Sequence, residues 1–350
     1  HPAHDTVQIA AGIDPVLDLP GAEEDDNATG DIDITTAITI EGGGATIDAA
    51  GLDRAIDTYQ ADVVLRDLEV VNGSADDGFL PASGVRSFTG ALDLDGVTLR
   101  SGSAPMQASL VVSFVDHVSV VDSSIEAAEA DMAAALFGEH ITVERSSIAM
   151  ASGFGAALVV GGVTISIDAS TMDGGPNGMA LHFYCCPEDG SPNAVSINRS
   201  TLHAPGNAAV VVEGGTVEVS ASTVIGLPGI LHGVGVVRSR GSIISSCSGG
   251  SLDSGGWNLV GGACGAASIG DQEGVGDVVG MLGDHGGPTS TMLLFDNAPG
   301  VDAIPVGTPG LCDGGTDTDD QRGVPRPVGG GCDAGAVEGS GGMAPGTVPR

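Results

Sequence analysis

An eight-residue phrase recurs along this chain and constrains its fold more than any single motif. In Val118-Ser119-Val120-Val121-Asp122-Ser123-Ser124-Ile125, apolar and polar residues alternate, two small polar residues follow, and an apolar residue closes the unit. The phrase returns at 141–148, 165–172, 195–202 and 217–224, with looser copies at 40–47, 63–70, 92–99 and 237–244. From closing residue to closing residue the steps are 23, 29, 26, 23, 24, 30, 22 and 20. Alternation at period two reads as strand, and a repeat that stretches by a few residues reads as a solenoid whose coils carry unequal loops.

The expected fold is therefore all-β, a single-stranded right-handed parallel β-helix of about nine or more coils, each of ~20–30 residues. Residues 1–30 form a lead-in, 31–245 the regular coils, 246–338 irregular coils and a cap over the open end, and 339–350 a Gly/Pro-rich tail resembling a linker. Each coil divides into three short strands with turns between them. Inward Val, Ile, Leu and Ala would stack in columns, with coils ~4.8 Å apart. The Ser-Ser and Ser-Thr pairs are expected at corners, where small hydroxyls bond local backbone and stack between coils. A hydroxyl ladder that binds glycan is the functional alternative.

Composition agrees with that reading and removes other classes. Fifty-eight glycines and only 3% aromatic residues, beside many β-branched ones, argue against a helical protein. Mean hydropathy is +0.23, yet no apolar run approaches the ~18 residues of a membrane span. Forty-six acidic residues face 11 arginines and no lysine, a formal net charge of −35. Such a surface repels nucleic acid, which needs cations to replace its counterions. The charge serves solubility, divalent cations or a cationic partner.

Six cysteines, Cys185, Cys186, Cys247, Cys264, Cys312 and Cys332, include no CxxC pair. An even count in a chain of secreted character points to disulfides. Proximity favours Cys247–Cys264 and Cys312–Cys332, leaving Cys185-Cys186 as a vicinal bridge or two thiols. The start at His1, with no apolar targeting segment, is expected of a chain whose signal peptide was removed or trimmed.

Two carboxylate clusters are calcium candidates, Asp25, Asp26, Asp31 and Asp33, and Asp313, Asp317, Asp319 and Asp320 in a Gly-rich turn. Neither has EF-hand or Gly-Gly-x-Gly-x-Asp spacing. Two lengthened loops are binding candidates, one carrying Asp76 and Asp77, the other His182, Tyr184 and the paired cysteines.

The C-terminal third departs from the repeat and carries its own phrases. These are Trp257-Asn258-Leu259, Asp284-His285-Gly286-Gly287-Pro288-Thr289, Pro299-Gly300-Val301-Asp302-Ala303, residues 320–327 and residues 332–338. As a set, with the opening Asp5-Thr6-Val7-Gln8-Ile9 and residues 30–44, they resemble a family of secreted bacterial and archaeal β-helix proteins. Those proteins bear a "choice-of-anchor" C-terminal region and are distantly similar to polymorphic outer-membrane protein repeats. The resemblance implies export with surface attachment or release, and no particular activity. The sequence departs from the family in showing neither a Cys-x-Leu-Arg-Glu-Ala type segment nor an anchor after Glu338, either of which processing or cloning could have removed.

Catalysis would require convergent groups. Arg66, Arg100, Arg145, Arg199, Arg238 and Arg240 fall on different coils, so the basic centre of a polysaccharide lyase is not evident. Asp76-Asp77 with Asp93 and Asp95 is the best carboxylate set for a hydrolase. His232-Gly233 is only vaguely similar to the Gly-His-Gly phrase of pectin hydrolases. The expected function is a secreted or surface-displayed structural or adhesive solenoid, self-associating end to end or holding a surface glycan or protein. A carbohydrate-active enzyme is the alternative.

Overall fold

The computed structural model describes residues 5–21, 27–74, 82–101, 109–113, 117–127, 134–183, 194–314 and 319–342. Among these there is no helix, and the strands wind into a parallel β-solenoid. Asp25, Asp26, Asp76, Asp77, Tyr184, Cys185, Cys186 and Asp317 lie outside the described residues.

Each coil visits three parallel sheets. Met179–Phe183 lies in the third sheet, Ala194–Asn198 in the first and Thr201–His203 in the second, and the next coil repeats the order. The first sheet runs from Asp5–Gln8 to Asp253–Gly256. The recurring phrase spans one first-sheet strand, a corner and the start of a second-sheet strand. Ile38–Asp48 and Val63–Gly73 continue through that corner and serve both sheets.

Period-two alternation sends every second side chain inward. One interior column passes through Leu65, Leu94, Val120, Val143, Ile167 and Ile197 by direct register, and all are buried. In-register stacking also pairs the backbone groups of each coil with those of its neighbours.

The corner between the first and second sheets has a fixed construction. Asp122, Arg145, Ala169, Arg199 and Ala221 each adopt a left-handed backbone, with φ between 45° and 49°. That turn costs energy for a residue with a Cβ. Stacking offsets the cost, because each of these N–H groups still donates to the coil beyond: Arg145 to Asp168 O at 3.1 Å, Arg199 to Ser220 O at 3.1 Å. The next residue is serine, and its hydroxyl performs two tasks. Ser146, Ser170, Ser200 and Ser222 each donate to the carbonyl two residues back and accept from the corner amide of the preceding coil, at 3.0–3.1 Å. Ser242 continues the ladder and Asn258 ends it, its Oδ1 accepting from Ser242 N. The corner hydroxyls are thus occupied by backbone.

The expected lid over the open end is instead a covering along one flank. Strands of the solenoid persist to Gln272–Glu273, after which the chain turns back along the second sheet, where Leu294–Phe295 and Ser340–Gly342 pair with each other. Val278, Val279, Met292, Leu294 and Ala334 pack on Ile243 and Leu259, outward residues of that sheet. Farther along, Gln321 reaches Thr171 and Thr201, while Ala336 N donates to Thr223 Oγ1. The physical reason lies in the outward column itself, whose buried threonines and apolar residues require a partner. Gly241 (φ +59°) is fixed by this docking, since a Cβ there would stand 2.8 Å from Leu311 Cδ2.

Both proximity-based disulfides form. Cys247–Cys264 closes the last coil, and Cys312–Cys332 crosslinks the flank segment beside Ile304 and Leu311. No helix among the described residues is long and apolar enough to cross a membrane.

Candidate functional site

The first sheet keeps an open outer face, and there the outward columns form a groove of about 850 Å³. One column passes through Ser166, Ser196, Glu218, Arg238 and Asp253, each the register partner of the next. Beside it runs a second column of Asp168, Asn198, Ser220 and Arg240. Gly310 and Asp313 of the flank segment line the same groove. Arg240 joins wall to floor, donating from Nε to Ser220 Oγ at 3.2 Å and from its terminal nitrogens to the carbonyls of Pro309 and Gly310.

Charge within the groove is organised by neighbouring coils. Arg238 sits between Asp253 (3.1 Å) and Glu218 (3.5 Å), and these hydrogen bonds push its guanidinium pKa up. Arg199 pairs with Asp168, which also accepts from Asn198 Nδ2 at 3.1 Å. Among the described lining residues four carboxylates, Asp168, Glu218, Asp253 and Asp313, face two guanidiniums, Arg238 and Arg240. Hydroxyls and an amide fill the positions between them. Such a surface hydrogen-bonds a neutral, hydroxyl-rich ligand and repels a polyanion.

The acidic lead-in builds a second cluster, at the third sheet. Asp31, Asp33 and Asp57 bring carboxylate oxygens within 4.8 Å of one another. Asp57 was not evident from sequence, since it joins the cluster only as register partner of Asp33. Three carboxylates at this spacing could hold a cation, and they are also partners of two guanidinium groups. Arg54 Nε stands 3.5 Å from both Asp31 Oδ2 and Asp57 Oδ2, and Arg86 also pairs with Asp57. Guanidinium groups therefore compete with a cation for Asp31 and Asp57. Burial, then repulsion from Asp53, pushes Asp31 up to about 7, with Arg54 acting in the opposite direction.

Of the other calcium candidates, the described ones are Asp313, Asp319 and Asp320. Asp320 is buried and accepts from Arg322 and from the amides of Arg322, Val324 and Glu338. Its role is to knot the flank segment. Asp313 accepts from Gly310 N at the groove wall, and Asp319 is half-buried. Beside Asp320, Arg326 is buried, 3.2 Å from Glu338, and donates to the carbonyls of Asp333 and Gly335. Burial pushes Asp333 and Glu338 up.

The remaining candidates are dispersed. His182 lies on the third sheet, 3.2 Å from Glu213. Asp95 is paired with Arg66 at 3.4 Å. His232 is buried at the end of a third-sheet strand, and burial lowers its imidazole pKa. The sequence reading missed the groove residues because each is ordinary alone. Their signal was the outward position of successive phrases, visible only once the phrases are aligned by register. Comparison with known protein families, with curated proteins and with solved structures finds no match.

Proposed function

We propose that this protein is an exported or surface-displayed adhesive solenoid that holds an extended, neutral glycan chain along the first-sheet groove. The observation that carries the reading is the groove itself, with polar side chains repeated on successive coils beneath a wall supplied by the chain's own flank segment. A polymer of hydroxyl-rich units meets a repeating set of donors and acceptors there. The two disulfides support folding in an oxidising compartment. The resemblance of the C-terminal phrases to secreted β-helix proteins points the same way.

End-to-end filament growth is the weaker form of the structural reading. At the C-terminal end, Asp271 accepts from the amides of Asn258 and Ser268, and Glu273 from those of Cys264 and Ala266. Those donors are thereby withdrawn from pairing with a neighbouring molecule. Affinity electrophoresis through gels containing neutral or anionic polysaccharides tests the proposal. Retardation by a neutral glycan, lost in the double variant Arg240→Ala/Asn198→Ala and without release of reducing ends, is the expected result. Retention by polyanions alone, or liberation of sugar ends, would overturn it.

A further inference from the structure

Eight histidines are spread over 350 residues, yet two of them occupy the same place on consecutive coils. His117 and His140 immediately precede Val118 and Ile141, which are register partners in the first sheet. The next coil presents Thr164 at that place, paired with His140. Both histidines line one recess of about 380 Å³, together with Ile141, Thr142, Thr164 and Ser166. Ser166 also lines the long groove, so the recess adjoins it.

We propose that His117 and His140 form a chelating pair for a divalent late-transition ion, with Cu²⁺ or Zn²⁺ as its natural occupants. Neighbouring parallel strands lie ~4.8 Å apart, so equivalent side chains on them leave the backbone side by side. Two imidazole nitrogens bound to one ion at ~2.1 Å each stand no more than about 4 Å apart. A slight convergence of the two rings closes that difference. Imidazole nitrogen selects copper, zinc and nickel over calcium and magnesium, which require oxygen. Water would complete the coordination, and the hydroxyl-bearing Thr142, Thr164 and Ser166 line the same recess. A chain of net charge −35 also concentrates cations at its surface.

The site differs in kind from the acidic cluster of Asp31, Asp33 and Asp57. Its donors are imidazole nitrogens, and His117 is exposed while His140 is half-buried. The two residues line an open recess at the surface.

Titration of the full chain with Cu²⁺, followed by electron paramagnetic resonance, and with Zn²⁺, followed by calorimetry, tests the proposal. One ion per chain is expected, with hyperfine coupling to two imidazole nitrogens. His117→Ala and His140→Ala should each weaken binding at least about tenfold, and the double variant little further, because a single imidazole no longer chelates. His203→Ala is the control. His203 pairs with Asp173 on the second sheet, and its loss should leave affinity unchanged. The proposal is overturned by two-nitrogen coupling that persists in His117→Ala/His140→Ala, or by the absence of nitrogen coordination in the parent chain. All three positions are outside the apolar core, and circular dichroism verifies that the variants keep their strands.

Discussion

Removing one corner hydroxyl should open the solenoid locally, by an amount the hydrogen bonds define. Ser200 is completely buried; its Oγ donates to Asn198 O at 2.6 Å and accepts from Ser170 N at 3.1 Å. In Ser200→Ala the Asn198 carbonyl keeps a partner, because Ala169 N donates to it at 3.2 Å. Ser170 N–H has no such substitute and becomes a buried, unpaired donor. A group of that kind costs about 1–3 kcal/mol, so nearly the whole effect falls on one amide. At the midpoint of that range, exchange of the Ser170 amide through local opening should accelerate roughly thirtyfold. Native-state hydrogen exchange resolves this better than global melting, since stacked coils open in sections. The amide of Val143 in the interior column should keep its protection. Exchange at Ser170 within about threefold of the parent would refute the ladder as a source of stability, and equal acceleration at Val143 would refute its local character.

Three other perturbations have defined outcomes. Asp31, with its pKa raised to about 7, binds a proton in the folded state that the unfolded chain has already released above about pH 4. The contribution of Asp31 to stability should therefore be fully present below about pH 4 and be lost as pH rises through the interval from about 4 to 7. Asp31→Asn should flatten that slope and gain on the order of 4 kcal/mol at pH 8, read from urea midpoints at pH 5 and pH 8; an unchanged slope would refute the assignment. Replacing Cys312 and Cys332 together by serine opens a loop of sequence separation 20, worth about 3 kcal/mol. Amides such as Ile304 should lose protection while the interior column keeps it. Gln321→Ala leaves Thr171, Thr201 and Thr289 without their shared amide partner, and a loss of about 2–3 kcal/mol in flank stability is expected from denaturant unfolding.

The repeat was legible because burial acts on every coil alike. A phrase with the wrong period would put polar atoms into the interior columns, so the alternation at Val118–Val121 or Ala194–Asn198 had little freedom. The serine pairs were legible for a similar reason, since a left-handed corner needs a short side chain that can serve the adjacent amide. Asp57 escaped notice because its partners Asp33 and Arg86 are set by stacking across coils of unequal length. The direction of the C-terminal segment was hidden too. Phrases such as residues 320–327 are dense in turn formers, which specify local bends but not the surface they dock on.

That docking surface nevertheless left a trace in the repeat. The second residue of each corner pair points outward from the second sheet, and its identity changes along the chain. Ser124 and Ser147 are half-buried, Thr171, Thr201 and Thr223 are fully covered and bonded to the flank segment, and Ile243 and Leu259 are apolar. The column passes from hydroxyls that tolerate water, through threonines that offer both a methyl and a hydrogen bond, to side chains that need apolar contact. A single solvated face has no reason to grade in this way. The first sheet shows the opposite trend over the same coils, as its outward column proceeds from Ser166 and Ser196 to Glu218, Arg238 and Asp253. In that one column the charged residues lie on coils whose second sheet is covered by the flank segment, while the neighbouring column runs from Asp168 through Asn198 and Ser220 to Arg240. The free face beside the flank is both walled and polar, whereas the second sheet over the same coils is covered.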